Sequence, residues 1–182
     1  MPIDQVDSAE RINAILDERA RLLARPTVDH GERRDERDCV IFRIKPETYA
    51  IDCRYVRRIG RSTSIAPIPG TPPFVAGVVR IREEIHCVFD LRALLGGHRQ
   101  AITNDAQIIA LGEQRTEFCL LADEVAEVTV IDEANVRARD FGREHHDKSF
   151  IRGVTNDAIL VLDIAAMLRD RNLYIGGGAT HT

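Results

Sequence analysis

Phe74-Val75-Ala76-Gly77-Val78-Val79-Arg80-Ile81-Arg82-Glu83-Glu84-Ile85-His86-Cys87-Val88-Phe89-Asp90-Leu91-Arg92-Ala93-Leu94-Leu95 is the stretch that decides how this chain folds. Two apolar runs, 74–81 and 85–89, flank a charged turn at Arg82-Glu83-Glu84, which predicts a β-hairpin. Asp90 stands where a helix cap belongs, residues 91–95 read as a short helix, and Gly96-Gly97 stops it. The same order returns near the C-terminal end. Phe150-Ile151-Arg152-Gly153-Val154 matches Phe74–Val78, and Val161-Leu162-Asp163-Ile164-Ala165-Ala166-Met167-Leu168 matches Val88–Leu95. A weaker echo links Ala50-Ile51-Asp52, with Val56 and Ile59, to Leu121-Ala122-Asp123, with Val125 and Val128. The fold is therefore expected to consist of two related halves. Gly77 and Gly153 fall inside apolar strands, where a glycine marks a bulge or the close approach of another backbone.

Outward from this stretch the chain divides into four parts. Residues 1–26 carry an amphipathic helix over 8–25, with Asp7 or Ser8 as its cap and Pro26 as its end. Ala9, Ile12, Ile15, Leu16, Ala20, Leu22 and Leu23 form its apolar face, interrupted by Arg19. Helical spacing alone leaves two readings open, a helix docked on its own body and a detachable partner-binding or self-associating one. Residues 27–38 are a charged linker without apolar period. Residues 39–173 are the main body, and the glycine-rich tail 174–182 is expected to be disordered.

Within the body, Val40, Phe42 and Ile44 alternate with Ile41, Arg43 and Lys45 as a half-buried strand, which Pro46-Glu47-Thr48 turns back. The proline-dense stretch 65–73 excludes a central strand and predicts a stiff, extended crossing. In the second half, strands are expected at 106–112, 116–122, 126–131, 150–155 and 158–162, with a polar loop over 132–149 and a helix over 163–170. Short strands, tight turns and a capped helix closing each half point to a mainly β fold of paired small barrels.

Bulk composition narrows the function. The chain is 44% hydrophobic and 30% charged, ordinary for a globular protein, and its core must be aliphatic because tryptophan is absent and aromatics are 5%. A net charge of −4 weighs against nucleic acid as a partner. Cys39, Cys53, Cys87 and Cys119 form no CxxC and lie in or beside apolar runs, as buried hydrophobes do. With no signal-peptide pattern at the start, the expected compartment is the cytoplasm. No apolar run reaches spanning length, so no direct membrane insertion is expected.

Catalytic chemistry is hard to find. The sequence holds no P-loop, GxGxxG, GxSxG or HExxH motif. His145-His146 with Asp147 fall short of a four-ligand metal set, and His86 and Cys87, adjacent on a strand, point to opposite faces. Asp52, Asp90, Asp123 and Asp163 sit at strand ends and read as caps rather than as a carboxylate site. No catalytic residue, metal or cofactor is therefore expected. Arginines offer the better lead: Arg57, Arg58, Arg61, Arg80 and Arg82 gather near strand ends of the first half. Arg57 and Arg61 read as a solvated face, whereas Arg82 stands at the rim of the central hairpin.

Taken together, Tyr49-Ala50-Ile51-Asp52 with Val56 and Ile59, the run Thr71–Val79, Ile81-Arg82 through Val88-Phe89-Asp90-Leu91, Ala122-Asp123-Glu124-Val125, and Gly153 through Leu162-Asp163 resemble the CheW family of chemotaxis adaptors. The resemblance spans about 39–173. It implies two pseudo-symmetric five-stranded SH3-like barrels around a shared hydrophobic interior, with short capping helices and, in this chain, an added N-terminal helix. It also implies a non-enzymatic, cytoplasmic scaffold at receptor arrays, whose different faces meet different partners. Those partners would be the regulatory domain of a CheA-type histidine kinase and the cytoplasmic tip of a methyl-accepting chemoreceptor, a helical hairpin docked in a groove between the barrels. The positions implied to line or shape that groove are Val56, Arg58, Gly77, Arg82 and Gly153. The chain departs from the family's usual residues at Arg58 (glutamate), Arg80 (asparagine), Glu83 (glycine), Cys87 (proline) and Cys119 (glycine), which makes the groove more basic and requires a different hairpin turn. A ligand- or metal-sensing module using His145 and His146, and a self-assembling regulator of a non-flagellar pathway driven by the 8–25 helix, are the alternatives.

Overall fold

A computed structural model describes residues 4–23, 36–61, 64–99, 101–103, 105–138 and 150–173, with side chains of the first helix described over 9–18. The N-terminal helix α1 runs Asp4–Leu23. Ten strands follow: β1 (Glu36–Ile44), β2 (Glu47–Asp52), β3 (Val56–Arg61), β4 (Val75–Ile81), β5 (Glu84–Phe89), β6 (Gln107–Leu111), β7 (Phe118–Ala122), β8 (Glu124–Asp132), β9 (Ile151–Val154) and β10 (Leu160–Leu162). Helix α2 (Leu91–Leu94) follows β5, and α3 (Ile164–Arg169) follows β10.

The strands make two five-stranded sheets. Sheet A has the order β8-β1-β2-β10-β9 and sheet B the order β3-β6-β7-β5-β4. The two orders superimpose: β8 corresponds to β3, β1 to β6, β2 to β7, β10 to β5 and β9 to β4. Pairing types agree as well, since β10 runs parallel to β2 and β5 parallel to β7, with antiparallel neighbours otherwise. The sequence repeat is thus a structural repeat. Its units, however, are exchanged. Sheet A takes β1 and β2 from the first half and β8 to β10 from the second, while sheet B takes β3 to β5 from the first and β6 and β7 from the second. The chain changes sheets after β2, through a 3-10 turn at Cys53–Tyr55, and again between β7 and β8.

Each sheet curls until its end strands approach, and the duplicated glycines make closure possible. In sheet B the proline-dense crossing returns to β4, where Ala66 and Val78 exchange two backbone hydrogen bonds of 2.9 Å. A Cβ on Gly77 would overlap the Ala66 carbonyl oxygen, and Gly77 takes φ +147°, which side chains disfavour. In sheet A the segment after β8 returns in the same way: Arg137 pairs with Val154, and a Cβ on Gly153 would lie 2.6 Å from the Arg137 carbonyl oxygen. The close backbone approach expected of both glycines is therefore the seam that shuts each SH3-like barrel.

Closure creates three apolar clusters. One lies inside barrel B, around Ala76, Val79, Val88, Ile108, Ala110 and Cys119. One lies inside barrel A, around Cys39, Ile41, Ala50, Ile131 and Val161. The largest, including Phe42, Ile51, Ile59, Phe89, Ile109 and Met167, draws on both sheets and joins the barrels. This explains why β1 is not half-buried as its pattern predicts: Val40, Phe42 and Ile44 face the joint core, while Cys39 and Ile41 face the barrel interior. Burial pushes the thiols of Cys39 and Cys119 up to about 12, so both are inert packing groups at neutral pH.

Several local expectations need correction. Helix α1 begins at Asp4, which places Asp7 and Ser8 inside it rather than at its cap. Its buried stripe is narrow: Ala9 and Ile12 enter the joint core, Leu16 packs against it, and Ile15 is exposed. Strand β1 begins at Glu36, because Glu36 and Arg37 pair with Asp132 and Ile131 of β8, and Arg37 also makes ion pairs to Asp52 (3.1 Å) and Glu133. Asp90 and Asp163 cap α2 and α3, and Asp52 caps the 3-10 turn after β2. Asp123 caps nothing; its carboxylate accepts from the Lys45 backbone N–H and from Arg92, which cross from other elements. The turn 82–84 shortens to Arg82-Glu83, with Ile81 opposite Glu84. The expected polar loop starts late, since β8 extends to Asp132 and a 3-10 turn fills Glu133–Asn135. Pro26, the tail 174–182, and His145 and His146 lie outside the described residues.

Candidate docking groove

Strand β3 runs along one end of sheet B, and its outer edge is not left bare. Helix α1 crosses it, and the Asn13 carboxamide accepts from the Ile59 N–H (3.0 Å) and donates to the Ile59 carbonyl (2.8 Å). One side chain thus answers both backbone groups that an edge strand exposes. Beside this contact lies a cavity of about 860 Å³. Its walls come from four directions: Asn13 and Asp17 on α1, Arg58 on β3, Arg82 and His86 on the β4–β5 hairpin, and Arg115 in the β6–β7 turn. A second depression of about 260 Å³ adjoins it, sharing Arg58 and Arg82 and adding Arg61 and Arg80.

The hairpin tip is locally strained. Arg82 takes φ 57°, the left-handed region that side chains other than those of glycine and asparagine rarely enter. Glu83 does not take it. The positive φ of this turn is thus carried by Arg82, whose exposed guanidinium stands at the rim. His86, buried on β5, directs Nε2 toward Glu84 Oε2 at 3.6 Å.

Of the five positions implied by resemblance, the structure brings Arg58 and Arg82 together on this groove. Val56 lies two residues along β3, but a bulge between Val56 and Arg58 turns it into the joint core, where it is buried. Gly77 and Gly153 are buried at the seams of different barrels. Asn13, Arg115 and His86 escape sequence reasoning. Asn13 looks like an ordinary polar residue of a helix, and Arg115 reaches the groove only through the pairing of β6 with β7. Arg61, read from sequence as a solvated position, is exposed yet borders the smaller depression.

A second charged cluster lies in barrel A. Asp52 pairs with Arg37 (3.1 Å) and Arg54 (2.8 Å), and Glu133 with Arg152 (2.7 Å) and Arg37. Burial pushes the Asp52 carboxyl up to about 6, outweighing the guanidiniums of Arg37 and Arg152. The cluster's carboxylates are taken up by its own guanidiniums, while Arg152 Nε is buried without a hydrogen-bond partner. Among the described residues, no group of three or more His, Cys, Asp or Glu is arranged to hold a metal ion. Nor is any described helix long and apolar enough to cross a membrane.

Comparison with known proteins agrees with this architecture. The CheW-like domain family matches residues 38–172. The chain is 24% identical over 132 residues to the chemotaxis protein CheW of Bacillus subtilis, covering 71% of this chain and 85% of the relative. It is 25% identical over 118 residues to CheW of Rhizobium meliloti, covering 65% and 76%. Among solved structures, the scaffolding protein CheW of Thermoanaerobacter tengcongensis aligns with a TM-score of 0.63 at 26% identity, covering 75% of this chain and 94% of that one. With its two exchanged barrels and its match across most of the chain, this protein belongs to the CheW-like family of chemotaxis scaffolds.

Proposed function

We propose that this chain is a non-enzymatic adaptor that couples the cytoplasmic tip of a methyl-accepting chemoreceptor to the regulatory domain of a CheA-type histidine kinase, in arrays at the inner face of the membrane. The observation that carries this reading is the meeting of Arg58 and Arg82 on one groove. Distant in sequence, they stand together on barrel B beside α1, with the apolar Val79, Ile81 and Ile108 between them and charge at the rim. That is the form a helical partner requires. Rim charge of this kind selects partners and speeds encounter more than it sets affinity.

The test is capture of purified kinase regulatory domain and receptor-tip fragments from the same organism. Arg82→Ala keeps the fold and weakens capture of at least one partner about tenfold. Arg82→Gly, which frees the backbone of its positive φ, behaves the same way, since the missing guanidinium is responsible. Wild-type affinity of both variants for both partners refutes the assignment.

A further inference from the structure

The chain as a whole is acidic, at −4, yet one small part of its surface is concentrated positive charge. The depression of about 260 Å³ lies between β3 and β4, the two end strands of sheet B. Arg58, Arg61, Arg80 and Arg82 stand around it, all exposed, and no acidic residue lines it. The acidic groups nearby, Asp17, Glu83 and Glu84, border the larger cavity instead. Of the described arginines elsewhere, Arg37, Arg43, Arg54, Arg92 and Arg152 each meet a carboxylate, while Arg99 and Arg169 donate to backbone carbonyls. Among the described residues, none of the four around the depression meets a carboxylate.

Four guanidiniums around one small depression carry like charge and repel. Docking of opposite charge relieves that repulsion. The floor between them is apolar, made by Val79, Ile108 and Ala110, which are buried, and Ile81, which is half-buried. A flat anionic surface meets the rim but leaves this concave floor empty, and so does a phosphate backbone. A protein segment fills both, with one apolar side chain on the floor and carboxylates to either side.

We infer that the seam between β3 and β4 is a docking site for an acidic segment of a protein partner. The inference rests on the adaptor reading for the presence of a protein at this face. It goes beyond that reading in naming the partner's chemistry and in assigning Arg61 and Arg80 to the contact.

A fluorescent helical peptide with a central leucine flanked by glutamates at i±3 and i±4 tests it, by anisotropy with the full chain. Saturable binding is expected, falling at least tenfold between 50 and 300 mM NaCl. Arg61→Glu/Arg80→Glu abolishes it, and Arg61→Gln/Arg80→Gln, the milder pair should the reversal fail to fold, weakens it about fivefold or more. Equal binding of a peptide with lysines in place of glutamates overturns the inference, as does wild-type affinity of the glutamine pair. So does arginine-dependent binding to phosphatidylserine vesicles or duplex DNA in the absence of peptide binding. No peptide binding by a chain that still captures kinase and receptor defeats this inference alone. Peptide binding by a chain that captures neither defeats the adaptor reading and leaves this one standing.

Discussion

Gly77 and Gly153 occupy matching places in the two barrels, yet they differ in what they tolerate. At Gly77 a methyl group meets a backbone carbonyl and an unfavourable φ together. Gly77→Ala is expected to cost about 3 kcal/mol, a large share of the roughly 5–15 kcal/mol that holds an ordinary domain. Gly153→Ala adds a 2.6 Å approach without the backbone conflict, and about 1–2 kcal/mol is expected. Urea denaturation of both variants checks the order. Asp52 supplies a pH test. Its carboxyl is raised by burial to about 6, above its value of 3.8 when exposed. The folded form therefore binds this proton more tightly, and the stability it lends is complete below about pH 4 and lost as pH rises through about 6. Asp52→Asn is expected to flatten that part of the profile in urea midpoints measured from pH 4 to 8, and an unchanged slope refutes the assignment. At this scale the sequence was informative where the chemistry is local. Asp90 and Asp163 announce themselves as caps because the groups they satisfy are two or three residues away. Asp123 looks the same in sequence but answers Lys45 and Arg92, and no local signal separates the two cases.

Among the elements, α1 meets the joint core through Ala9, Ile12 and Leu16 and clasps β3 through Asn13. Asn13→Ala removes both hydrogen bonds to Ile59 and is expected to cost about 1–2 kcal/mol of helix docking. Amide exchange at Ile59 should accelerate at least tenfold while amides of β6 and β7 keep their protection. Uniform acceleration across sheet B would instead mean that the clasp supports the whole barrel. The periodicity of α1 was legible, but the width of its buried face was not: it touches the body along β3 and β8, so Ile15, in phase with the stripe, remains outside. The hairpin β4–β5 was legible nearly to the residue. Its two-residue turn was not, because a positive φ at Arg82 runs against every local preference.

For the whole molecule, the duplication could be read from the order of glycine, apolar run, aspartate and helix, since each copy keeps that order. The exchange of strands could not. The apolar alternation of β1 is satisfied equally well by pairing within its own half or with β8, and the choice is made by contacts more than eighty residues apart. A direct test is to sever the chain between Gly97 and Ala106. Neither fragment should fold alone, while the mixed fragments should restore one cooperative transition by circular dichroism. Independent folding of either fragment refutes the exchanged arrangement. The same feature has a cost during synthesis. When the ribosome has delivered β1 to β5, neither sheet holds all its strands, and the seventy or so residues to the end of β10 take roughly 4–15 s at ~5–20 residues per second. Over that interval β1 and β3 are unprotected edges with apolar faces. Translation speed and holding chaperones, more than the stability of the finished protein, should therefore set how much of it a cell accumulates.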